Sequence, residues 1–497
     1  MKKLFYTLYM LSGFAAYAQP GVTKLDAASG PTSSYPLHIT PFSDKVMFYA
    51  NSGKGWELFQ VQPPLNPSMV LDINPLTASS IDLYFNNPLA VLGTKLYFTA
   101  NNGASGYELF SYNGATLPAI AVDIELGGDG SSPDNYTVLG SKLYFRARTT
   151  GYGYELWEYN PAGNITTRLT DINPGNDSSI TGNIVAFANR IIFTADSGSG
   201  NVELWEYDPL TANTSMLMDI NPGVAPSNPQ NLTVMNGNLY FTADDGTYGR
   251  ELWMYNGITT QRLTDHAPGS LSGFPSYKMP IMAFMNGKIY FNGRDTNSRY
   301  HIYTYDPATT NITQVAKTND TNTSDPTWLT PYGGKLYFNA YNDTTGFELW
   351  MLDGNVATQV FDLCNTASGS QPSMLTPVGD DLYFRANECN GTGDEIFRYN
   401  YKTASVSNVK FDGEVMVFPN PASSTATLQL TLNSAERLSV QVTDITGRVA
   451  YHVAINQYTQ GTHNIALPVQ DFAKGNYIYT IYNEAGLRYA TGKLTVN

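Results

Sequence analysis

A glutamate followed by Leu or Ile and an aromatic residue recurs along the chain and is the first candidate for chemistry. It stands at Glu57, Glu108, Glu155, Glu203, Glu251, Glu348 and Glu395. Two carboxylates at a suitable separation could cleave a glycosidic bond by acid–base chemistry. A catalytic carboxylate is not needed seven times, whereas a structural hydrogen bond is needed once in every repeat. We therefore interpret these glutamates as structural.

A second recurrent set of side chains offers oxygen ligands for a metal ion. Asp171 and Asn173 lie in one Asp-Ile-Asn-Pro-Gly segment, and Asp219 and Asn221 lie in the next. Calcium takes about six to eight oxygen ligands, so these four residues are calcium candidates. No EF-hand loop is present, and an Asp before a Pro-Gly turn is also explained by turn capping. We favour turn capping and expect no cofactor, with calcium as the open alternative.

The copy near residue 301 departs most from the repeat. His301 replaces the glutamate, and Arg294, Asp295 and Arg299 stand in or beside the turn that precedes it. Such a departure from the repeat indicates either a ligand site or mere sequence drift. We favour drift and keep these four residues as the ligand-binding candidates. The five histidines have no metal-binding spacing, and the chain has no nucleophile elbow or phosphate-binding loop.

The elements that carry these residues are short strands. The clearest copy, residues 239–257, reads as an apolar strand, an Asp-Gly turn, a Glu-Leu-Trp strand and an Asn-Gly turn. Eight copies follow one another at intervals of 47 to 51 residues, counting the one with His301. A further strand on each side gives about four strands per period, the size of one propeller blade. The sequence predicts an all-β, eight-bladed β-propeller over residues 19–411, with seven blades as the alternative.

The repeats carry a resemblance to a known family. They resemble the ELWxxDGT repeats of bacterial secreted proteins, closely in the strands and more loosely at Asn256-Gly257 and Asp353-Gly354. The resemblance implies a secreted protein.

The repeat pattern also predicts how the ring closes and which loops share a face. Residues 22–26 look like the end of a blade and should pair with the last copy near residues 395–399, although residues 405–411 compete for that place. In a four-stranded blade the middle hairpin tip and the connection to the next blade emerge on one face. Cys364 lies in such a connection and Cys389 in such a tip. We therefore predict a disulfide between them, as export to an oxidising compartment would allow, with two separate free thiols as the alternative.

The first 18 residues predict a signal peptide. Lys2 and Lys3 precede an apolar run, and cleavage is expected between Ala18 and Gln19. A membrane anchor is the alternative, but the run is shorter than a spanning helix, and no other segment is apolar enough to be a transmembrane anchor.

The charge of the chain bears on its partners. The net charge is −14, and residues 19–414 hold 21 Lys and Arg against 38 Asp and Glu. A phosphate backbone requires a basic surface, so nucleic acid is disfavoured as a partner. Glycans and surface proteins remain as candidate partners.

From residue 412 the period disappears and alternating apolar residues predict about seven short strands, typical of a small Ig-like β-sandwich. Its motifs resemble the type A C-terminal sorting domain of the type IX secretion system of Bacteroidota. The residues that carry this resemblance are Pro419, Asn420, Pro421, Gly447, Gly475, Tyr477 and Lys493. The resemblance implies that the type IX machinery is a partner, and that the protein passes through the periplasm to the outer-membrane surface or the medium.

These observations predict a non-catalytic binding or adhesion scaffold, because a rigid disc that presents many loops suits recognition. A polysaccharide-active hydrolase or lyase on the same scaffold and a purely structural surface protein are the alternatives.

Overall fold

The computed structural model describes residues 21–27, 33–62, 66–75, 79–81, 88–267, 269–276, 279–319, 322–364, 366–391, 393–400, 413–444, 449–483 and 488–497. The predicted cleavage site at Ala18 and Gln19 and the motif residue Gly447 lie outside these ranges. Within them the chain is built from β-strands and contains no α-helix. No helix in the described part of the chain is long and apolar enough to cross a membrane.

The chain divides into two units, one spanning Thr23–Tyr399 and the other containing Asn400–Asn497. Described residues of the first unit form eight antiparallel sheets of four strands. Strand β1 (Val22–Leu25) comes first and belongs to the eighth sheet. The first four sheets are β2 (Leu37–Phe42), β3 (Lys45–Asn51), β4 (Trp56–Val61) and β5 (Ser68–Leu71); β6 (Ala90–Leu92), β7 (Lys95–Asn101), β8 (Tyr107–Tyr112) and β9 (Ala119–Val122); β10 (Asp134–Leu139), β11 (Lys142–Thr149), β12 (Tyr152–Asn160) and β13 (Ile165–Arg168); β14 (Ile180–Phe187), β15 (Arg190–Asp196), β16 (Val202–Asp208) and β17 (Asn213–Met218).

The remaining sheets continue the same order. They are β18 (Gln230–Met235), β19 (Asn238–Asp244), β20 (Arg250–Tyr255) and β21 (Thr260–Arg262); β22 (Met282–Met285), β23 (Lys288–Arg294), β24 (Tyr300–Asp306) and β25 (Asn311–Ala316); β26 (Thr327–Tyr332), β27 (Lys335–Asn342), β28 (Gly346–Asp353) and β29 (Val356–Gln359); and β30 (Ser373–Val378), β31 (Asp381–Asn387) and β32 (Asp394–Tyr399) with β1.

The second strand of each sheet explains why the sheets stack. In β19, Leu239, Tyr240 and Phe241 are all buried although they point to alternate faces, so both faces of the sheet need a cover. Phe187 and Leu204 of the fourth sheet share one apolar cluster with Leu239 and Phe241 of the fifth. Because its second strand is buried on both faces, each sheet packs between two neighbouring sheets. This is a propeller-like arrangement.

The last sheet packs on the first. Tyr383 and Ile396 of the eighth sheet share a core with Val46 and Phe48 of the first. Strand β1 pairs with β32, which places Val22–Leu25 beside the last repeat. The amide of Asn400 also donates to the carbonyl of Gly21 at 2.9 Å. The predicted pairing of residues 22–26 is confirmed, while the competing segment 405–411 lies outside the described residues.

The second unit contains two antiparallel sheets around one apolar core. The core includes Leu428, Leu430, Val440, Val442 and Ile481. The alternation of apolar and polar residues in β34 (Ala426–Leu432) and β35 (Glu436–Asp444) directs one face of each strand into this core. One sheet is β33 (Gly413–Phe418), β34 (Ala426–Leu432) and β37 (Gly461–Leu467), and the other is β36 (Val449–Tyr458), β35 (Glu436–Asp444), β38 (Gly475–Asn483) and β39 (Arg488–Val496), with a 3-10 turn at Val469–Asp471.

Candidate functional site

The hairpin tips and the connections between sheets lie together on one rim of the first unit. A tip joins the second and third strands of a sheet, and a crossover joins its last strand to the next sheet. The amide of Asp244 in the fifth tip donates to the carbonyl of Ser227 in the preceding crossover at 3.0 Å. A Cβ on Gly246 would lie 2.7 Å from Oδ1 of Asn221 in that crossover. The predicted placement of these loops on one face is confirmed.

A buried glutamate fixes each crossover to its own sheet. Glu203 in β16 is fully buried, and its carboxylate accepts the N–H of Ile220 at 3.1 Å. It also accepts the N–H of Ser227 at 2.9 Å and the hydroxyl of Ser227 at 2.5 Å. We call this arrangement the carboxylate clamp. The side chain at the start of the third strand thereby satisfies polar groups in a loop that has no ladder of its own.

The carboxylate clamp recurs in the other sheets. Glu57, Glu108 and Glu348 bind the backbone and hydroxyl of Ser80, Ser131 and Ser370 in the same way. Glu395 binds Ser34 across the closure of the ring. Glu155 accepts the hydroxyls of Ser179 and Thr170, and Glu251 accepts the hydroxyl of Thr264 and the amide of Gly273. The structural interpretation of the seven glutamates is confirmed. The serines were missed, although a serine 22 to 24 residues after most of these glutamates is a readable signal.

Burial dominates the electrostatics of the clamp. It raises the pKa of every clamp glutamate, while hydrogen bonds from serine or threonine hydroxyls and from the backbone oppose that rise. The effect is large for Glu348, whose pKa rises to about 7. These buried carboxylates therefore hold loops in place.

The sixth sheet replaces the clamp carboxylate by His301. Nδ1 of His301 lies 2.8 Å from the hydroxyl oxygen of Ser324, and Nε2 of His301 lies 3.6 Å from Oδ2 of Asp295. Burial lowers the pKa of His301. The Ser-His-Asp order resembles a hydrolase triad, but Ser324 is only 1% exposed and also accepts the amide of Thr318. The group is a clamp built with imidazole.

The other three candidates of the sixth copy lie at the hairpin tip between β23 and β24. Oδ1 of Asp295 accepts the backbone N–H groups of Asn297 and Arg299, each at 2.8 Å. Arg294 donates to the hydroxyl of Ser298 at 2.7 Å. The structure thus brings Asp295 and His301 together and places Arg294 and Arg299 within the same turn. Their role in ligand binding stays a prediction.

The four calcium candidates occupy two successive crossovers. Asp219 accepts the N–H of Gly223 at 3.4 Å, which caps the turn, and the Asn221 amide lies 3.5 Å from the carbonyl oxygen of Pro226. Asp171 lies 4.0 Å from Arg168. Oδ1 of Asn173 would be 2.7 Å from a Cβ on Gly198, so this amide lies directly under the next tip. The described ranges contain no group of three or more His, Cys, Asp or Glu residues that could hold a metal. Calcium binding stays a prediction.

The two cysteines also lie on this rim. Cys364 in the seventh crossover and Cys389 in the eighth tip form a disulfide with Cα atoms 5.2 Å apart. The bond ties the crossover that leaves the seventh sheet to the tip of the next one.

The motif residues of the second unit surround its last strand. Asn420, between Pro419 and Pro421, donates to the carbonyl of Lys493 and accepts the amide of Thr495, both at 2.8 Å. Gly475 and Tyr477 lie in β38, opposite Val496 and Leu494 of β39. The Pro-Asn-Pro segment and the end of the chain therefore form one local structure.

A cavity opens on the rim beside the third sheet. It has a volume of about 450 Å³. Two smaller cavities, of about 220 and 250 Å³, lie between the first strands of neighbouring sheets. No pattern in the sequence indicates any of these three cavities. The lining of the largest includes Glu125, Asp129, Arg148, Tyr152, Tyr154, Asn176 and Ser178.

A comparison with protein families identifies the second unit. Residues 416–497 match the model of the secretion system C-terminal sorting domain. The protein is exported by type IX sorting. Its destination is the outer-membrane surface or the medium, as the motif resemblance implied. No curated protein shows significant sequence similarity to the chain.

The solved structures that match the chain are only distantly similar to it. PorZ, a surface component of the type IX secretion system of Porphyromonas gingivalis, is 14% identical over 93% of this chain and 75% of its own, with a TM-score of 0.36. A puromycin-hydrolyzing peptidase of Mycobacterium tuberculosis is 12% identical over 74% of this chain and 61% of its own, with a TM-score of 0.46. At these similarities neither protein carries an argument about function.

Proposed function

We propose that this protein is a non-catalytic binding or adhesion scaffold, made of an eight-bladed propeller over residues 19–411 and an Ig-like sorting sandwich over residues 412–497. A signal peptide of residues 1–18 starts its export, and the type IX machinery completes it. The eight successive sheets, with the last packed on the first, support eight blades in preference to seven. The repeats are assigned to the ELWxxDGT type.

The observation that carries this proposal is the set of carboxylate clamps along one rim. Each clamp fixes a crossover, and the next tip packs on that crossover, as Gly246 does on Asn221. Loops that are ordered before binding lose little conformational entropy when a partner is bound. A rim of this kind suits recognition of a glycan or a surface protein.

A polysaccharide-active enzyme is the alternative that uses the same surface. It would need two accessible carboxylates with unequal pKa values. The clamp glutamates, such as Glu348, have raised pKa values and are buried, and Asp134, whose pKa burial also raises, is buried against Arg146. This argues for binding without cleavage. A purely structural surface protein would bind no soluble partner at all.

The test is to incubate the purified protein with a panel of neutral and acidic polysaccharides and to measure the size of the sugar by chromatography. Co-elution of an uncleaved sugar with the protein supports the scaffold. Conversion to shorter sugar would overturn the non-catalytic function and direct attention to accessible carboxylates of the rim. If no sugar co-elutes, labelled protein is incubated with intact cells and with cells stripped of surface protein by protease. Binding to intact cells alone would identify a protein partner, and no binding would favour a structural role.

A further inference from the structure

The cavity beside the third sheet, named here the third-rim cavity, is formed by three segments that are distant in sequence. They are the crossover residues 125–130, the hairpin tip 148–154 and the next crossover at residues 176–178. The cavity therefore lies where a tip meets the crossovers on both of its sides. Its volume of about 450 Å³ is within the range of small-molecule sites.

Hydrogen bonds hold the walls of this cavity in place. Glu125 lies in the crossover that the Glu108 clamp fixes, and its own amide donates to that carboxylate at 3.2 Å. The Glu125 carboxylate accepts the amide of Thr150 at 3.1 Å and its hydroxyl at 2.5 Å, which binds the tip to the crossover. On the other side, the amide of Tyr154 donates to the hydroxyl of Ser178 at 3.0 Å.

The backbone segments on that second side are tightly packed against each other. A Cβ on Gly153 would lie 2.3 Å from the backbone of Asp177, so the tip and the crossover are in direct backbone contact. A site with walls fixed in this way is pre-organised for a small rigid ligand.

The lining combines aromatic rings with hydrogen-bonding groups. Tyr152 is 38% exposed, and the guanidinium carbon of Arg168 lies 3.2 Å from its ring centroid, which fixes the ring. Arg148 and Asn176 are exposed in the lining and offer N–H donors, while Glu125 and Asp129 offer acceptors.

A sugar ring matches this combination. Its C–H groups pack on an aromatic ring, and its hydroxyls act as both donors and acceptors. The lining contains two carboxylates and one arginine, and the whole chain has a net charge of −14. Electrostatic repulsion therefore disfavours an acidic sugar.

We propose that the third-rim cavity binds a neutral pyranose unit of an oligosaccharide, with Tyr152 as the stacking platform and Arg148 as a donor to hydroxyl groups. The proposal deepens the proposed function and rests on it, because it names the ligand class and one site of the binding scaffold.

The fifth sheet supplies a matched control. Tyr248 lies at the position of Tyr152 in its own tip, and the guanidinium carbon of Arg262 lies 3.4 Å from its ring centroid. Tyr248 is not part of the lining of the third-rim cavity. Removing Tyr248 therefore removes the same kind of stacked pair without changing the proposed site.

The experiment measures binding of hexasaccharides of glucose, mannose, xylose, N-acetylglucosamine and galacturonic acid to the purified full chain by calorimetry. At least one neutral hexasaccharide is expected to bind, and galacturonic acid hexamer is not. Tyr152→Ala should weaken that binding roughly tenfold or more, whereas Tyr248→Ala should leave it unchanged. Arg148→Ala should weaken it as well. Asn176→Trp, on an exposed loop position, should abolish binding by filling the cavity, and it serves as a second test if Tyr152→Ala does not fold.

The possible results distinguish failure of the cavity proposal from failure of the proposed scaffold function. Equal affinities for the wild type, Tyr152→Ala and Asn176→Trp would overturn the cavity proposal and leave the binding scaffold intact. No binding of any neutral hexasaccharide, or preference for the galacturonic acid hexamer, would likewise overturn the cavity proposal. Shortened hexasaccharide recovered from the calorimeter cell would instead overturn the non-catalytic function.

Discussion

Replacing Glu203 by alanine tests the carboxylate clamp most directly. The substitution removes the acceptor for two backbone amides, those of Ile220 and Ser227, and for the Ser227 hydroxyl. Each buried donor left without a partner costs about 1–3 kcal/mol. The hydroxyl can rotate to another acceptor, whereas the two amides cannot.

Relief of glutamate burial offsets part of this loss, since burial raises the pKa of Glu203 and so disfavours its charged form. We expect a net loss of about 2–4 kcal/mol in the free energy of unfolding of the repeat unit. The control is Glu206→Ala in the same strand. Glu206 is partly exposed and lies 3.7 Å from Arg190, so its loss should cost less than about 1 kcal/mol.

The assay is denaturant unfolding of both variants together with hydrogen exchange at the amides of Ile220 and Ser227. In Glu203→Ala these two amides should exchange much faster than in the wild type, and in Glu206→Ala they should not. If both variants lose the same small amount of stability and both amides stay protected, the clamp does not hold the crossover and the reasoning fails.

Two further predictions concern titration and closure. Burial raises the pKa of Glu348 from 4.5 to about 7. The protonated Glu348 side chain therefore contributes its full stabilisation below about pH 4.5, and this stabilisation is lost as the pH rises through about 7. Between pH 5 and pH 8 the wild type should therefore lose stability relative to Glu348→Gln, by on the order of 3 kcal/mol in unfolding experiments; parallel pH curves would contradict this. Deleting residues 19–27 removes β1 and exposes the edge of β32, and the melting temperature should fall markedly; an unchanged melt would mean that β1 does not close the ring.

Much of the first unit can be read from the sequence because its signals are local. A Leu-Tyr-Phe strand with both faces apolar, such as residues 239–241, indicates a sheet covered on both sides. The repetition of Glu before Leu and an aromatic residue was enough to argue for a structural carboxylate. The unpaired strand at residues 22–26 was enough to predict the partner of β32.

Other features depend on residues that no local pattern connects. His266 is an example, since its Nε2 would lie 3.0 Å from a Cβ on Gly293, where seven other copies carry alanine. The His266 imidazole in one crossover occupies the space that an alanine methyl group at position 293 would need. The two residues meet only because their sheets pack against each other. Likewise His301 could be read as a departure from the repeat, but not as a clamp on Ser324.

The strand repeat and the structural role of the glutamates follow from the alternation and spacing of residues along the chain, and the motifs after residue 412 indicate the sorting domain. The cavity formed by residues near Glu125, Tyr152 and Asn176 is visible in the folded structure alone. These segments meet because the sheets pack face to face and the clamps fix the loops between them. The distance between such loops is set by that packing and has no counterpart in the spacing of residues along the chain.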